Sequence, residues 1–522
     1  MLAADAITKS VPYVAKRAQR VQIIWFTLFL TFTGWIILRL MFGVKGAEPS
    51  SLAWTIFLVG IAAAFFRPRY GVYVLLFLTL VGDSAMMWWY PFFKNFSSIE
   101  SLLYVNDQLI ISPLEAYIAL TYLSWLIRSI WTRRLNLHTG AMFFPALLFG
   151  AFMVFGMAYG IKRGGSLTIG LWEVRPILYL PAMVILVSNV LEKREHIRTL
   201  MWWIMIALFI EGIVGCYTFF VVLGMDLGNL EAITEHSAAI HMNTLFILAL
   251  SGWLFSTPRF HRFAHLAMIP PVFITYLVTQ RRASYVALII ALIFIAVVLY
   301  KENQKVFWVL VPASAFFGLA YIGVFWNASG PLGMPAQAVK SVIAQDQANL
   351  KDQRSNLYRE IENVNTEFTI RQMPLTGVGF GNKFFILVPL PDISFFEWWE
   401  YITHNSVLWI WMKTGVGGFF SMIFMIGTAV MLGVRVVWRM PGGELSAIAL
   451  TMLLYVIMHF VYAYVDMSWE AQSMVYVGTA MGILNCMEHI VSKPIPKGFK
   501  RWPWSPEPVA APEILPLPEG IK

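Results

Sequence analysis

The chain has 522 residues, 58% of them hydrophobic and only 13% charged, and its mean hydropathy is +0.67. A soluble globular protein of this length has no use for so much apolar surface, so the chain reads as an all-α polytopic integral membrane protein. Its formal net charge of +9 sits in short loops between apolar stretches; this suits membrane orientation, and no nucleic-acid partner is expected.

A spanning helix takes roughly 20 mainly apolar residues. In chain order the pattern predicts spans near 22–42, 52–66, 71–91, 108–131, 141–160, 168–190 and 198–223. Further spans are predicted near 238–255, 263–279, 285–300, 306–327, 405–438, 445–465 and 470–489. Adjacent short stretches can merge, so about 12–14 transmembrane helices are expected. The chain then divides into an N-terminal segment 1–21, helices over 22–327, a polar loop 328–403, further helices over 404–490, and a Pro-rich tail 491–522. The first 20 residues are polar and basic with no cleavage site after them, so no removable signal peptide is expected. Cys216 and Cys486 lie inside apolar runs, which argues against a disulfide framework.

Lys and Arg in short loops set the orientation. With both termini in the cytoplasm, the inside loops read RPRY, RSIWTRR, EKREHIR, PRFHR, KENQK and RVVWR. The outside loops KNFSSIES, DLGNLEAITEH and VDMSWE are poor in basic residues. Four basic residues break the rule by falling outside: Lys162 and Arg163 in "YGIKRGGS", and Arg281 and Arg282 in "VTQRRASYV". Arg175 lies within a span, where an arginine costs about 2.5–3.5 kcal/mol on insertion scales and so faces a cavity or a partner, Glu173 being the nearest carboxylate.

The 328–403 loop begins with the pattern of one or two surface helices, then breaks at "MPLTGVGFGNKFF" and continues into "FFEWWEY", which fits a helix at the membrane interface. Three elements converge on this outer side. They are the arginine pair, the loop with Arg359, Arg371 and the glycines 377, 379 and 381, and His404 with Asn405 where the loop re-enters the membrane. The glycines read as a tight turn that positions His404 more readily than as a phosphate loop, because no strand precedes them. Glu235, His236 and His241 lack a strong zinc spacing.

Three stretches resemble the bacterial O-antigen ligase and polymerase family of membrane glycosyltransferases. "TQRRASYVAL" is similar to the family's Thr-x-Ser-Arg-small-small segment and aligns Arg282 with its arginine; Arg281 replaces the usual serine, and Val286 stands where leucine is common. "YREIENVNTEFTIRQMPLTGVGFGNKF" resembles an arginine, an amphipathic helix and then Pro-x-x-Gly-x-Gly, with Arg359 as the aligned arginine. "HNSVLWIWMKTG" resembles a histidine–asparagine pair ahead of a glycine. The motifs cover roughly residues 275–420.

The resemblance implies a GT-C-like inner-membrane enzyme with one large periplasmic loop. It would transfer a glycan from an undecaprenyl-pyrophosphate carrier to a hydroxyl of lipid A core, of a second lipid-linked repeat, or of a protein. Guanidinium groups suit the pyrophosphate because they stay charged and bind phosphate oxygens bidentately. Arg282 and Arg359 are the expected catalytic arginines. Arg281, Arg175, Arg371, Gly377, Gly379 and Asn405 are the expected substrate contacts. A histidine can take the acceptor's proton near neutral pH, and His404 is that base by position and by resemblance. The loop has no Asp-x-Asp, so no metal or other cofactor is expected. The rival class is a transporter or flippase of lipid-linked glycan, which could use Asp83, Glu115, Glu211, Asp466 and Glu470 as ion sites.

Overall fold

The computed structural model describes residues 49–81, 92–99, 101–132, 137–227, 230, 232–235, 237–328, 330–344, 346, 350–391, 398–440 and 442–492. The predicted span at 22–42, the N-terminal segment and nearly all of the Pro-rich tail lie outside them. So do His236, Asp83 and the loop carboxylates Asp392 and Glu397.

All regular structure among the described residues is helical, and the chain is an all-α polytopic membrane protein. Two compact units divide it. The first takes in the residues up to Gly71 and 89–124. Within it α1 (Pro49–Phe66) packs through aromatic rings: Trp54 stacks on Phe96 and Phe57 meets the same ring edge-on. Tyr117 donates a 2.9 Å hydrogen bond to the carbonyl of Phe57. The helices α2 (Pro68–Val81) and α3 (Pro113–Trp131) each begin at a proline, which is tolerated there because the first turn has no use for its missing N–H.

The second unit carries the rest, including α2 from Val72 and α3 from Trp125. Its helices are α4 (Phe143–Lys162), α5 (Leu167–Val190), α6 (Arg194–Tyr217, continuing through a π turn to Val222), α7 (Ala238–Leu254) and α8 (Arg259–Val278). Then come α9 (Arg282–Glu302), α10 (Gln304–Val324), α11 (Met334–Ile343), α12 (Leu350–Gln372), α13 (Ser406–Arg439), α14 (Glu444–Val465) and α15 (Ala471–Ser492). Eight helices among the described residues are long and apolar enough to cross a membrane: α4, α5, α6, α9, α10, α13, α14 and α15.

Small residues decide which of them touch. In a lipid setting helices gain little from hiding apolar surface, so close backbone approach and buried hydrogen bonds hold them together. Gly478 and Gly482, one turn apart on α15, lie against α5; a Cβ on Gly478 would stand 2.5 Å from the carbonyl oxygen of Leu180. Asn485 continues the seam, donating to Ser188 Oγ at 3.0 Å. Gly212 on α6 meets Val272 of α8, and its carbonyl accepts from Thr275 Oγ1 at 2.7 Å. Thus α14 and α15 are central, with most of their spanning residues buried, whereas α10 has no buried residue and turns its apolar side chains outward.

Short connections make successive helices alternate in direction. Lys162, Leu167, Ala238, Val278, Arg282, Ser406, Val465 and Ala471 therefore share one end of the bundle. Arg194, Arg198, Arg259, Arg262, Lys301 and Arg439 gather at the other.

Candidate active site

α8 and α9 are joined by only three residues. The turn forces Gln280 to φ +57°, a left-handed conformation that a side chain other than glycine rarely adopts. Arg281 follows as the extended residue before α9, its carbonyl accepting from Ser284 Oγ at 2.6 Å, and Arg282 opens the helix. Two adjacent arginines are thereby fixed at the bundle end opposite Arg194, Arg198, Arg259, Arg262, Lys301 and Arg439.

α12 lies over this end and presents Asp352, Asn356, Arg359 and Glu362, at helical spacing, on one face. The Arg282 guanidinium stands 3.5 Å from Asp352 Oδ1 and 3.5 Å from Asn356 Oδ1. Arg359 stands 3.5 Å from Asp466 Oδ2, at the end of α14. Arg359 and Asp466 are also within electrostatic range of Arg282, and Tyr462 feels Arg281, Arg359, Asp466 and Glu470 together. A committed guanidinium–carboxylate pair closes to about 2.7–2.9 Å, so these arginines are held in place while keeping donors to spare. Arg281 Nε and Arg359 Nε are buried atoms that make no hydrogen bond.

His404 sits just before α13. Its backbone N–H donates to Glu362 Oε2 at 2.8 Å, and its ring Nδ1 lies 2.9 Å from the same oxygen. The Glu362 side chain is 2% exposed and the imidazole 25%. The Tyr358 ring meets the imidazole edge-on, 5.7 Å between centroids. Burial pushes the Tyr358 phenol up, and Glu362 beside it pushes the same way, so it remains a neutral hydroxyl. Two residues beyond His404, Ser406 donates from Oγ to the Asp466 carbonyl at 3.1 Å and accepts at its own carbonyl from Trp469 Nε1 at 2.7 Å. The histidine end of α13 is thus bolted to the same Asp466 that faces Arg359.

Residues 266–423 match the family model described as O-antigen ligase. This part of the chain is similar to the O-antigen ligase family. No curated protein matches the chain. The matched stretch holds Arg281, Arg282, Arg359, Glu362 and His404, whereas Asp466 and Glu173 lie outside it.

Within the matched stretch the glycine run, Asn405 and Arg371 make contacts of their own. Gly377, Gly379 and Gly381 all have positive φ, and the run from 377 to 381 is wedged between α4, α5 and α13. Its amides are consumed there by Met373 O, Met412 O, Lys413 O, Gly156 O and Glu173 Oε2 in turn. Neither Gly377 nor Gly379 therefore has an N–H left for a phosphate; glycine is needed because a Cβ on Gly379 would collide with the Gly160 backbone. Across from this run, Gly415 breaks the helical geometry of α13 (φ 69°, ψ −171°), so the single span expected at 405–438 is kinked. Asn405 is the N-cap of α13, its Oδ1 accepting from Leu408 N at 3.1 Å, and its Nδ2 is buried without a partner.

Arg371 lies 12 residues beyond Arg359 on α12, about 18 Å along the helix at 1.5 Å per residue. It is exposed and pairs with Glu367. Arg175 is half-buried on α5 with its guanidinium 5.9 Å from the centroid of Trp172. Glu173, the neighbouring carboxylate in the sequence, pairs with Lys413 at 2.7 Å, both side chains sealed from solvent. Of the acids that suited a transporter, Asp466 faces Arg359 and Glu470 accepts from Ser237 Oγ at 2.5 Å. His241 is buried on α7 with Nε2 3.3 Å from Ser473 Oγ. Among the described residues no three His, Cys, Asp or Glu side chains converge as a metal-binding group.

Sequence reasoning missed Glu362, Asp466 as the arginine's counter-charge, and the Lys413–Glu173 pair. For Glu362 a signal was present: it follows Arg359 by three residues, so both share a helix face.

Proposed function

We propose that this membrane protein of the O-antigen ligase type is a glycosyltransferase that works without a metal, moving a glycan from an undecaprenyl-pyrophosphate carrier to an acceptor hydroxyl at the periplasmic face of the inner membrane. The observation that carries the proposal is the meeting of Arg281, Arg282 and Arg359 with His404 at one end of the bundle, on elements bolted together through α12 and Asp466. As the glycosidic bond breaks, its electron pair goes to the lipid pyrophosphate, and Arg282 and Arg359 stabilise the charge that develops there. The acceptor oxygen attacks the anomeric carbon while its proton passes to Nε2 of His404. Arg281, with its unpartnered Nε, contributes a further donor to the same anion. Lipid A core, a second lipid-linked repeat and a protein hydroxyl all meet the requirement for an acceptor, so ligase and polymerase chemistry differ only in which one is bound.

The test is a reaction with purified protein in vesicles, given undecaprenyl-pyrophosphate glycan and each acceptor separately after thorough washing with EDTA. Sugar should appear on one of them at the unwashed rate. A requirement restored specifically by magnesium or manganese would move charge neutralisation from the arginines to carboxylates.

The basic residues at the opposite end favour the periplasm for the site. A cysteine replacing Leu357, which is 56% exposed on α12, should react with an impermeant thiol reagent in intact spheroplasts. One replacing Glu302, at the far end of α9, should react only after permeabilisation. The reverse pattern would place the site in the cytoplasm and remove the lipid-linked donor from consideration.

A further inference from the structure

The base assigned to His404 has two ring nitrogens, and only one can take a proton from a substrate. We infer that Glu362 is the positioning residue that makes Nε2 that nitrogen and carries the charge when it is protonated, a role that rests on the reading of His404 as the base. One oxygen of Glu362 lies 2.8 Å from the backbone nitrogen of His404 and 2.9 Å from its Nδ1. The backbone N–H can only donate. An ionised carboxylate can only accept, so Nδ1 must carry hydrogen and the lone pair is left on Nε2. Because the same oxygen grips both the main chain and the ring, backbone and side chain are fixed together, and the imidazole has one orientation rather than two related by a ring flip.

The carboxylate is built into the fold rather than hung at its surface. Its side chain is 2% exposed, and its helix is pinned on both sides of it. Asp352 and Asn356 meet Arg282. Asn365, one turn on, donates to the carbonyl of Val388 and accepts from the amides of Leu387 and Val388 at 2.8 Å each. The oxygen therefore cannot follow the ring if the ring moves. When Nε2 accepts the acceptor's proton, the imidazole becomes a cation hydrogen-bonded to an anion. Such a charge-assisted bond is stronger in the protonated state than in the neutral one, so it favours the transition state over the ground state. Glu362 touches neither donor nor acceptor in this scheme. Everything it does passes through His404.

That dependence gives the test its form. Glu362→Gln keeps an oxygen for the Nδ1–H bond but removes the charge, and Glu362→Ala removes both; Glu362→Asp keeps the charge on a shorter arm. In the vesicle transfer assay, turnover should fall by about 10–100-fold for Gln, further for Ala and least for Asp, while KM for the undecaprenyl-pyrophosphate glycan stays within about twofold. The double variant Glu362→Gln with His404→Ala should transfer at the rate of His404→Ala alone, because a residue that acts only through the histidine has nothing to act on once it is gone. Rates are compared per folded molecule at matched thermal stability; should the Gln protein not accumulate, Asp takes its place in the same double variant. Losses that multiply in the double variant, a loss appearing in KM, or a Gln variant as active as the parent would each overturn the inference. A crippled His404→Ala beside a fully active Glu362→Gln sinks the role of Glu362 alone. Near-normal transfer by His404→Ala sinks the base assignment, and the role of Glu362 with it.

Discussion

Replacing His404 with alanine is expected to lower glycan transfer by about 10²–10⁴-fold, the usual worth of a positioned general base, with lipid-pyrophosphate binding nearly unchanged. The substitution is unusually local. The backbone N–H of residue 404 still reaches Glu362, so the buried carboxylate keeps one of its two partners and α12 stays docked on α13. The anion site is held by other contacts: Arg282 by Asp352 and Asn356, and Arg359 by Asp466. None of them runs through the imidazole. The arginine variants should behave differently. Arg282→Ala or Arg359→Ala removes charge-assisted contacts to the pyrophosphate in both ground and transition states, so donor binding and turnover should drop together. Lysine at either position should restore only part, since a point charge lacks the guanidinium fork. Binding of labelled undecaprenyl pyrophosphate and single-turnover transfer, at equal membrane levels of each protein, separate the two patterns. Should His404→Ala bind donor as poorly as the arginine variants, the division of labour between base and anion site is wrong.

What could be read from the sequence was what depends on short stretches. The spans followed from runs of apolar residues. The arginine pair drew notice because Arg281 and Arg282 break the pattern of basic residues in the short loops. Each is a local signal, and the family motifs are local too. The pairings were not legible, because they depend on which helices become neighbours. Arg359 finds its carboxylate on Asp466, far along the chain and beyond the matched domain. Glu173 stands two residues from Arg175 in the sequence, yet it pairs with Lys413 of α13, which no local pattern showed. The glycines were read correctly as turn-formers, yet their partners were hidden. Positive φ at 377, 379 and 381 lets the run lie between the backbones of Gly160, Ser166 and Lys413. A sequence shows that glycine is present, not what approaches it.

Lys413→Met should be the most damaging single change to stability outside the site. Lys413 and Glu173 are 0% and 1% exposed and 2.7 Å apart. Lys413 Nζ also donates to the carbonyl of Asn382 at 2.6 Å, and Glu173 Oε2 accepts from Gly381 N at 2.5 Å. The pair therefore joins α5, the glycine run and α13 at one buried point. Removing one member of such a pair leaves an uncompensated charge and costs about 3–5 kcal/mol. Replacing both by apolar or neutral groups of similar size is often neutral, because the desolvation of both charges is recovered. Lys413→Met and Glu173→Gln should each lower the unfolding temperature in the same detergent, and the double variant should regain most of the loss. The effect should reach the chemistry as well. The carbonyl of Lys413 accepts from Gly379 N at 3.1 Å, one residue from where Met412 holds Val378, and His404 precedes the first turn of the same helix. Transfer should therefore fall in each single variant and return with stability in the double. A Lys413→Met protein as stable as its parent would mean that Glu173 is buried as a neutral acid. The joint would then be held by hydrogen bonds alone, and the glycine run would owe its place to packing rather than to charge.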